Sequence, residues 1–377
     1  MTPRAPSFQQ TATTYRQGSL TLPREYYTDP AILEEETEQL FARQWNCVGR
    51  ASRVEQPGEW FLATVAGDSL IVLRDRQGVL RAFLNVCRHR GTRLCEAAAG
   101  RFSESIQCPY HAWTYGTDGR LIGAPHMQDV EDFDPADYPL HQAAVAEWEG
   151  FLFVNLGADP VPFEAAWAPM LGRLSRFGLR ELRVAHRVGY DVRANWKLVF
   201  QNYSECLHCP MIHPELAAVL PYRSGANDLV EGPFLGGYME IMVPHRSATL
   251  SGRACGLPVS DSLSEEDRAR GYYYSLKPNL LLSIHPDYVN YYLVQPVSPD
   301  RTTVESEWLF HPDNEGNPDF NPKDAIEFWD VTNRQDWHIV ERSQLGISSR
   351  RYTPGPYSAR ESIPAAWDRE YLRIMGR

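Results

Sequence analysis

The chain has 377 residues, 43% of them hydrophobic, and a formal net charge of −11 at pH 7. This length accommodates two to three domains, while the acidic balance and the scattered basic residues argue against nucleic acid as a partner. There is no apolar run of the roughly 20 residues that a membrane helix needs, and the polar segment 1–19 lacks the apolar core of a secretory signal. We therefore expect a cytoplasmic protein that binds neither nucleic acid nor membrane.

The first predicted element is a helical segment over residues 24–46. Asp29 and Pro30 are typical of a helix start, because an acidic cap followed by proline favours the first turn. Apolar residues then recur at helical spacing: Ile32, Leu33, Leu40 and Phe41. We expect residues 1–44 to form an N-terminal helical segment that packs on the C-terminal domain.

Residues 45–156 change to short alternating strands separated by tight turns. Strands over 60–65 and 69–74 flank the turn Ala66-Gly67-Asp68, and further hairpins are indicated near 80–86 and 113–121. Short strands with regular turn signals predict an all-β domain over residues 45–156.

Two pairs of metal-ligating residues lie in this β-domain: Cys87-x-His89 and, after eighteen residues, Cys108-x-x-His111. Two Cys and two His could hold a single zinc, but the one-residue gap in the first pair is tighter than zinc sites usually have. A Rieske [2Fe–2S] cluster fits better, because there two thiolates hold one iron and two imidazoles hold the other. Pro109 after Cys108 and an aromatic residue before His111 also favour the cluster.

Residues 157–377 have a mixed pattern of helices and strands. Strands are predicted over 184–192, 272–283, 289–296 and 302–310, and helices over 163–177 and 322–347. The segment 247–270 is rich in Ser, Gly and charge, and is either a mobile loop over a pocket or a surface insertion. The expected fold class is α+β, with an all-β domain followed by a domain whose antiparallel sheet is flanked by helices.

His208 and His213 are candidate ligands of a second metal, in a 2-His-1-carboxylate site with positions left open for O2 and substrate. Residues five apart point in different directions on a regular helix. Pro210 lies between them and is expected to make the helix irregular. Cys206 and Cys209 in the same stretch are expected to be packed thiols and not a redox pair, since no thioredoxin-like strand precedes them.

These segments together resemble the catalytic (α) subunit of the Rieske non-haem iron oxygenases. The resemblance covers most of the chain. It is carried by the four cluster residues, by Asn195-Trp196-Lys197, by Glu205-x-x-His208-x4-His213, and by the stretch 328–344. It implies a [2Fe–2S] cluster on Cys87, His89, Cys108 and His111, and mononuclear Fe(II) on His208, His213 and Asp336. Asp330 is the alternative third ligand.

Glu205 departs from most ring-hydroxylating members, which carry Asp at this position. In the family this carboxylate bridges subunits, so the resemblance implies that Glu205 joins His208 to the residue matching His111 in a neighbouring subunit. Such a hydrogen-bond chain offers the electron a short, ordered path. Asn202 and Tyr203, just before Glu205, are further candidate catalytic residues. The Glu variant resembles the members that oxidise quaternary ammonium compounds.

The resemblance implies an O2-dependent oxygenase component that receives electrons from NAD(P)H through a flavin and iron–sulfur reductase, and that forms a homotrimer. The expected reaction is monooxygenation of a small quaternary ammonium compound with C–N cleavage or N-demethylation. An alternative is hydroxylation or O-demethylation of an aromatic acid. A simple electron carrier is disfavoured, because such ferredoxins are short and lack the iron triad.

A quaternary ammonium substrate needs ring faces around its cation, because it has no N–H donors. The aromatic candidates for such a cage are Tyr203, Phe200, Tyr291 and Tyr292. The sequence leaves the substrate itself, and the presence of a small β-subunit, open.

Overall fold

The computed structural model describes residues 7–377, which divide into two compact units. One unit is Thr37–Ala166, and the other combines the N-terminal segment through Glu36 with Trp167–Arg377. The domain boundaries predicted from the sequence, after residues 44 and 156, stay predictions. None of the described helices has both the length and the apolar character that crossing a bilayer requires.

The described residues contain strands and helices in the following order. The strands are β1 (Gln9–Gln10), β2 (Asn46–Arg50), β3 (Glu59–Val65), β4 (Asp68–Arg74), β5 (Leu80–Leu84), β6 (Ala99–Arg101), β7 (Ser105–Gln107), β8 (Thr114–Gly116), β9 (Leu121–Gly123), β10 (Gln142–Trp148), β11 (Phe151–Asn155), β12 (Arg183–Val192), β13 (Ala226–Leu229), β14 (Phe234–Glu240), β15 (Arg270–Leu276), β16 (Leu280–Ile284), β17 (Val289–Ser298) and β18 (Arg301–Phe310). The helices are α1 (Glu25–Thr28), α2 (Pro30–Glu36), α3 (Phe163–Ala166), α4 (Trp196–Tyr203), α5 (Cys209–Ile212), α6 (Pro214–Val219), α7 (Glu265–Arg268), α8 (Pro322–Ile347) and α9 (Ser362–Ile374).

The unit Thr37–Ala166 is built from a seven-stranded antiparallel sheet in the order β2-β11-β10-β5-β4-β3-β6 and a small sheet β7-β8-β9. Alternate residues of β4 enter two different cores: Ile71 packs with one cluster of buried side chains, and Leu70 and Val72 pack with the other. Side chains alternate between the faces of a strand, so this apolar run is buried on both sides. The predicted all-β domain is therefore confirmed.

The predicted hairpin between β3 and β4 has a two-residue loop, Ala66-Gly67, and both residues have positive φ, 51° and 84°. Such turns match the natural twist of the paired strands. The loop fixes the register in which Val65 pairs with Asp68.

The other unit contains an eight-stranded antiparallel sheet in the order β1-β13-β14-β15-β16-β17-β18-β12. Helix α8 spans the predicted residues and contacts β12 and α4, while α4 also contacts α9 and β17. The segment predicted as strand over 272–283 forms most of β15 and β16, which pair with each other. The predicted antiparallel sheet with flanking helices is confirmed.

Two predicted helices are shorter than expected. The helix predicted over 163–177 stops at Ala166 and resumes only as a 3-10 turn, Ser175–Phe177. Pro169 has no backbone N–H to donate within a helix, and the positive φ of Gly172, 74°, lies outside the right-handed helical region. Neither residue therefore continues a helix. The helix predicted over 24–46 is broken at Asp29, which is extended because it precedes Pro30.

The segment 247–270 is held against the core at its first half. The Ser247 hydroxyl donates to Asp287 Oδ1 over 2.6 Å, and the Cys255 amide donates to Asp287 Oδ2 over 2.7 Å. Ala248 and Thr249 are buried between these anchors. This packing does not match a mobile loop.

A buried ion pair fixes α4, the helix that ends at Tyr203. Lys197 Nζ lies 2.5 Å from Glu36 Oε1, and both side chains are fully buried. Trp196 Nε1 donates to Glu36 Oε2 over 2.7 Å, and the Tyr371 hydroxyl donates to Glu36 Oε1 over 2.5 Å. Burial lowers the pKa of Lys197, and the attraction of Glu36 offsets part of that effect.

Glu36→Ala is expected to lower the free energy of unfolding by about 3–5 kcal/mol, because it leaves Lys197 charged and unpaired in the core. Denaturant unfolding followed by circular dichroism measures this loss. The double variant Glu36→Leu with Lys197→Met is the control, and it should recover most of the stability. Equal losses in the single and double variants would contradict the pairing argument.

Candidate active site

The two cluster loops of the unit Thr37–Ala166 are closed by backbone hydrogen bonds. The first turns back on itself where the Cys87 amide donates to the Thr92 carbonyl over 2.9 Å. The second is the β7–β8 connection, where the Cys108 amide donates to the Trp113 carbonyl over 2.8 Å. Both cysteines are 3% exposed, so the sulfur atoms lie in the core beneath the loops.

Aromatic side chains position the two histidines of the loops. The rings of His89 and His111 have centroids 4.8 Å apart, and His89 stacks on Trp113 at an interplanar angle of 8°. The Tyr115 hydroxyl lies 3.3 Å from Cys87 Sγ and accepts from the backbone amide of Arg88. The structure thus brings all four predicted cluster residues into one place.

The donor set fits a two-iron cluster better than one zinc ion. Within the described residues, no three of the four ligand atoms come within 4.8 Å of one another, although His208, His213 and Asp336 do. A single zinc needs four ligands around one point, whereas a Rieske cluster separates a thiolate end from an imidazole end.

Three side chains from separate elements of the other unit converge as a second candidate metal site. His208 lies just before α5, His213 lies between α5 and α6, and Asp336 lies in α8. Asp336 Oδ1 is 2.8 Å from His213 Nε2 and 3.2 Å from His208 Nε2. Two imidazoles and a carboxylate match the facial triad of non-haem Fe(II).

Asp330, the alternative third ligand, has other partners. Its carboxylate accepts from the Tyr190 hydroxyl over 2.7 Å and from Arg334 Nε over 2.9 Å. It does not belong to the group around the two histidines.

The chain break that lets both histidines face one point is not at Pro210. This proline lies in the first turn of α5, where a missing backbone donor is tolerated. The break is at His213, whose backbone (φ −130°, ψ 68°) leaves the helix just before Pro214. Because a residue before proline avoids the helical region, Pro214 is the residue that separates α5 from α6.

Each histidine is oriented by a partner on its other ring nitrogen. His208 Nδ1 lies 2.6 Å from Glu205 Oε1, and His213 Nδ1 lies 2.7 Å from Gln335 Oε1. Such partners turn the Nε2 atoms toward a metal and increase their basicity. The sequence reasoning missed Gln335, and its position beside Asp336 was the only available signal.

The site favours positive charge. Burial disfavours the imidazolium of His208, but the hydrogen bonds of Asp336 and Glu205 outweigh it and raise the pKa of His208 to about 10. Burial alone would raise the pKa of Asp336, yet the two histidines lower it. A divalent cation would displace the proton held between these groups.

The other two predicted catalytic residues border this site. Asn202 Nδ2 is 3.5 Å from His208 Nε2, and the Tyr203 hydroxyl is 2.8 Å from Ser283 Oγ. The prediction of packed thiols was wrong for Cys206 and Cys209, which are joined in a disulfide. The disulfide closes the turn that carries His208.

A cavity of about 120 Å³ adjoins this candidate metal site, and His208, His213 and Asp336 are among its lining residues. Its wall includes Tyr203, Tyr273 and Trp329, and the Tyr273 ring lies 6.3 Å from each of the other two rings. Gly236 and Gly237 also line the cavity, and they allow the paired strands to approach closely there: an added Cβ would meet the backbone oxygens of Tyr273 and Ala226 at 2.0 and 2.1 Å.

Of the four predicted cage residues, only Tyr203 lines the cavity. Phe200 is fully buried against Trp196 and Trp367. The hydroxyls of Tyr291 and Tyr292 donate to other polar side chains inside the core. The rings that the sequence reasoning missed are Tyr222, Tyr238, Tyr273 and Trp329.

Comparisons with known proteins agree with this architecture. Residues 44–134 match the Rieske [2Fe-2S] domain, and residues 179–377 match the ring hydroxylating alpha subunit (catalytic domain). The glycine betaine monooxygenase oxygenase subunit of Chromohalobacter salexigens is 33% identical, covering 91% of this chain and 83% of that protein. The carnitine monooxygenase oxygenase subunit of Escherichia coli K12 is 31% identical, and the match covers 89% of this chain and 86% of that protein.

The solved structure of the quaternary ammonium Rieske monooxygenase CntA with L-carnitine superposes with a TM-score of 0.77. It is 26% identical, and the match covers 95% of this chain and 96% of that one. The catalytic-domain match alone extends over more than half of the chain. The cofactors are accordingly a Rieske [2Fe–2S] cluster and a mononuclear iron that uses O2. The chain belongs to the family of ring-hydroxylating α-subunits, the oxygenase components of the Rieske non-haem iron oxygenases.

Proposed function

We propose that the protein oxidises a small quaternary ammonium compound at a carbon next to the nitrogen. One atom of O2 enters a C–H bond and the other leaves as water, using two electrons and two protons. The hydroxylated cation then loses its hydroxyl proton and splits its C–N bond, which gives a tertiary amine, an aldehyde and a proton. The observation that carries the proposal is the aromatic cavity beside the His208, His213 and Asp336 group.

Ring faces supply what a quaternary ammonium ion needs. Tyr203, Tyr273 and Trp329 line one cavity, and aromatic ring faces attract a cation that has no N–H to donate. The relatives named glycine betaine and carnitine monooxygenase subunits support the same substrate class.

We assign the metal-binding roles to the residues that converge. Cys87, His89, Cys108 and His111 would hold the cluster, and His208, His213 and Asp336 would hold the iron. When bound, the cluster supplies single electrons and the iron supplies O2 activation. The protein contributes orientation, because Glu205 and Gln335 fix the two imidazoles.

Electron supply is the part of the proposal that needs partners. A flavin and iron–sulfur reductase would deliver electrons from NAD(P)H, and a cytoplasmic location would give access to that donor. Glu205 would link His208 to a cluster histidine of a neighbouring subunit, as in a closed homotrimer. Inter-subunit electron transfer has been described for CntA.

A single turnover of the reduced, iron-loaded protein with O2 tests the substrate class without the reductase. Mass spectrometry would follow carnitine, glycine betaine, choline and a set of aromatic acids and ethers, with anaerobic samples as the control. We expect one ¹⁸O-dependent oxidation per active site with a quaternary ammonium compound. Turnover of aromatic acids or ethers alone would replace this proposal by the hydroxylation or O-demethylation alternative.

A further inference from the structure

The cavity contains one strongly basic side chain. Among its lining residues, Arg360 is the only Lys or Arg, and the remaining ionisable groups that carry charge are Glu205 and the three iron-site residues. Arg360 comes from the 3-10 turn Ala359–Glu361 before α9, an element that contributes none of the candidate metal ligands.

The guanidinium of Arg360 has no partner within residues 7–377: it forms neither an ion pair nor a hydrogen bond there. The adjacent Glu361 is not available, because its carboxylate accepts from the Ser358 amide over 2.8 Å. Asp368 is likewise occupied by Gln201 and Tyr357. An arginine that lines a cavity without forming an ion pair of its own is suited to an anionic ligand.

The backbone that carries Arg360 is fixed in place. Ser362 Oγ donates to the Thr11 carbonyl over 2.8 Å and accepts from Thr14 Oγ1 over 2.9 Å. Thr11 also lines the cavity, where its hydroxyl accepts from Asn227 Nδ2 over 2.9 Å. The charge is therefore presented by an anchored turn with neutral polar groups beside it.

We propose that Arg360 binds the carboxylate of a betaine, a quaternary ammonium compound that also bears a carboxylate, of the kind for which the glycine betaine and carnitine relatives are named. This inference rests on the proposed function, and it makes Arg360 the specificity-determining residue against choline-type alcohols. The ring faces hold the cation, whereas the planar guanidinium pairs with both carboxylate oxygens. An alcohol offers only one weaker, uncharged hydrogen bond in the same place.

The test compares ligands with and without the carboxylate on one protein. Calorimetric titration of the anaerobic, metal-loaded wild type should show glycine betaine or carnitine binding at least tenfold more tightly than choline or glycine betaine methyl ester. This comparison uses only wild-type protein, so it tests the proposal even if a substitution at position 360 disturbs folding.

Arg360→Leu should weaken the binding of the carboxylate ligands by about 10- to 100-fold, the loss typical of a charge-assisted hydrogen bond, and leave choline binding unchanged. For carboxylate-bearing substrates, Arg360→Leu should increase KM by a larger factor than it decreases kcat. The affinity of Arg360→Lys for the carboxylate ligands should lie between those of wild type and Arg360→Leu. Lysine keeps the positive charge but lacks the planar guanidinium that can pair with both carboxylate oxygens. Arg351→Leu removes an equal charge from an exposed position outside the cavity and should behave like wild type.

The two proposals fail differently. If wild-type protein oxidises choline and carboxylate-bearing compounds equally, or if Arg360→Leu weakens both alike, the role of Arg360 is overturned while the quaternary ammonium function stands. If wild-type protein binds and oxidises only aromatic acids, the proposed function fails, and the betaine assignment fails with it.

Discussion

Asp336→Ala is expected to abolish tight binding of the mononuclear iron, by more than about 100-fold in affinity, and to leave the cluster in place. Even partners that only orient a metal ligand typically cost 10- to 100-fold when removed, and here the ligand itself is lost. The variant also removes the carboxylate that lies 2.8 and 3.2 Å from the two histidines. Iron per chain, measured by elemental analysis, should fall from three to two.

The cluster should survive because its four candidate ligands lie in the compact unit Thr37–Ala166, which does not contain Asp336. Electron paramagnetic resonance of the reduced protein reads the cluster independently of the mononuclear iron. Asp330→Ala is the matched control: it removes a carboxylate from the same helix, with partners Tyr190 and Arg334, and should keep all three irons. Iron loss in this control but not in Asp336→Ala would make Asp330 the ligand.

Glu205→Gln is expected to keep both metal centres but reduce the single-turnover rate by at least about 100-fold. The side chain keeps its shape and one acceptor oxygen, but the charge-assisted hydrogen bond to His208 Nδ1, 2.6 Å long in the native protein, becomes a neutral one. A neutral amide holds the His208 imidazole less firmly in the orientation that the proposed electron path needs. Rapid-mixing spectroscopy of cluster oxidation would measure this step directly.

Metal content must be measured in the same Glu205→Gln sample, because Glu205 also orients His208 and accepts from the Leu207 amide. Glu215→Gln is the matched control, since Glu215 is an exposed carboxylate in the nearby helix α6. It should turn over at the wild-type rate. A normal rate of cluster oxidation in Glu205→Gln would refute the bridging role.

Most of the proposed metal ligands could be predicted because they lie close to one another in the sequence, Asp336 being the exception. Each Cys and His pair must lie on one short loop in any fold, because only one or two residues separate its members. The pairs are Cys87 with His89, and Cys108 with His111. The bounds of α8 were also predictable, since Pro322 begins the helix and apolar residues recur at helical spacing. The His208–His213 pair was correctly interpreted as irregular, although the residue responsible is Pro214.

The cavity wall could not be predicted in the same way, because its residues meet only through strand pairing and helix packing. Tyr273 lies on β15, Trp329 on α8, and Arg360 before α9, so no local pattern connects them. Tyr291 and Tyr292 failed as cage residues because neighbouring strand residues point to opposite faces, and both faces of β17 are covered there.

The sequence by itself therefore predicted the two sets of metal ligands, since ligand spacing within a loop or a short helix is a local property, and the class of enzyme followed from the family resemblance of these segments. The sequence also favoured Asp336 over Asp330 as the third ligand, whereas only the tertiary structure showed which rings border the site and that an arginine without an ion pair lines the same cavity. The physical reason is that burial and charge pairing depend on residues distant in sequence, whose positions are set by the packing of the whole sheet and its helices.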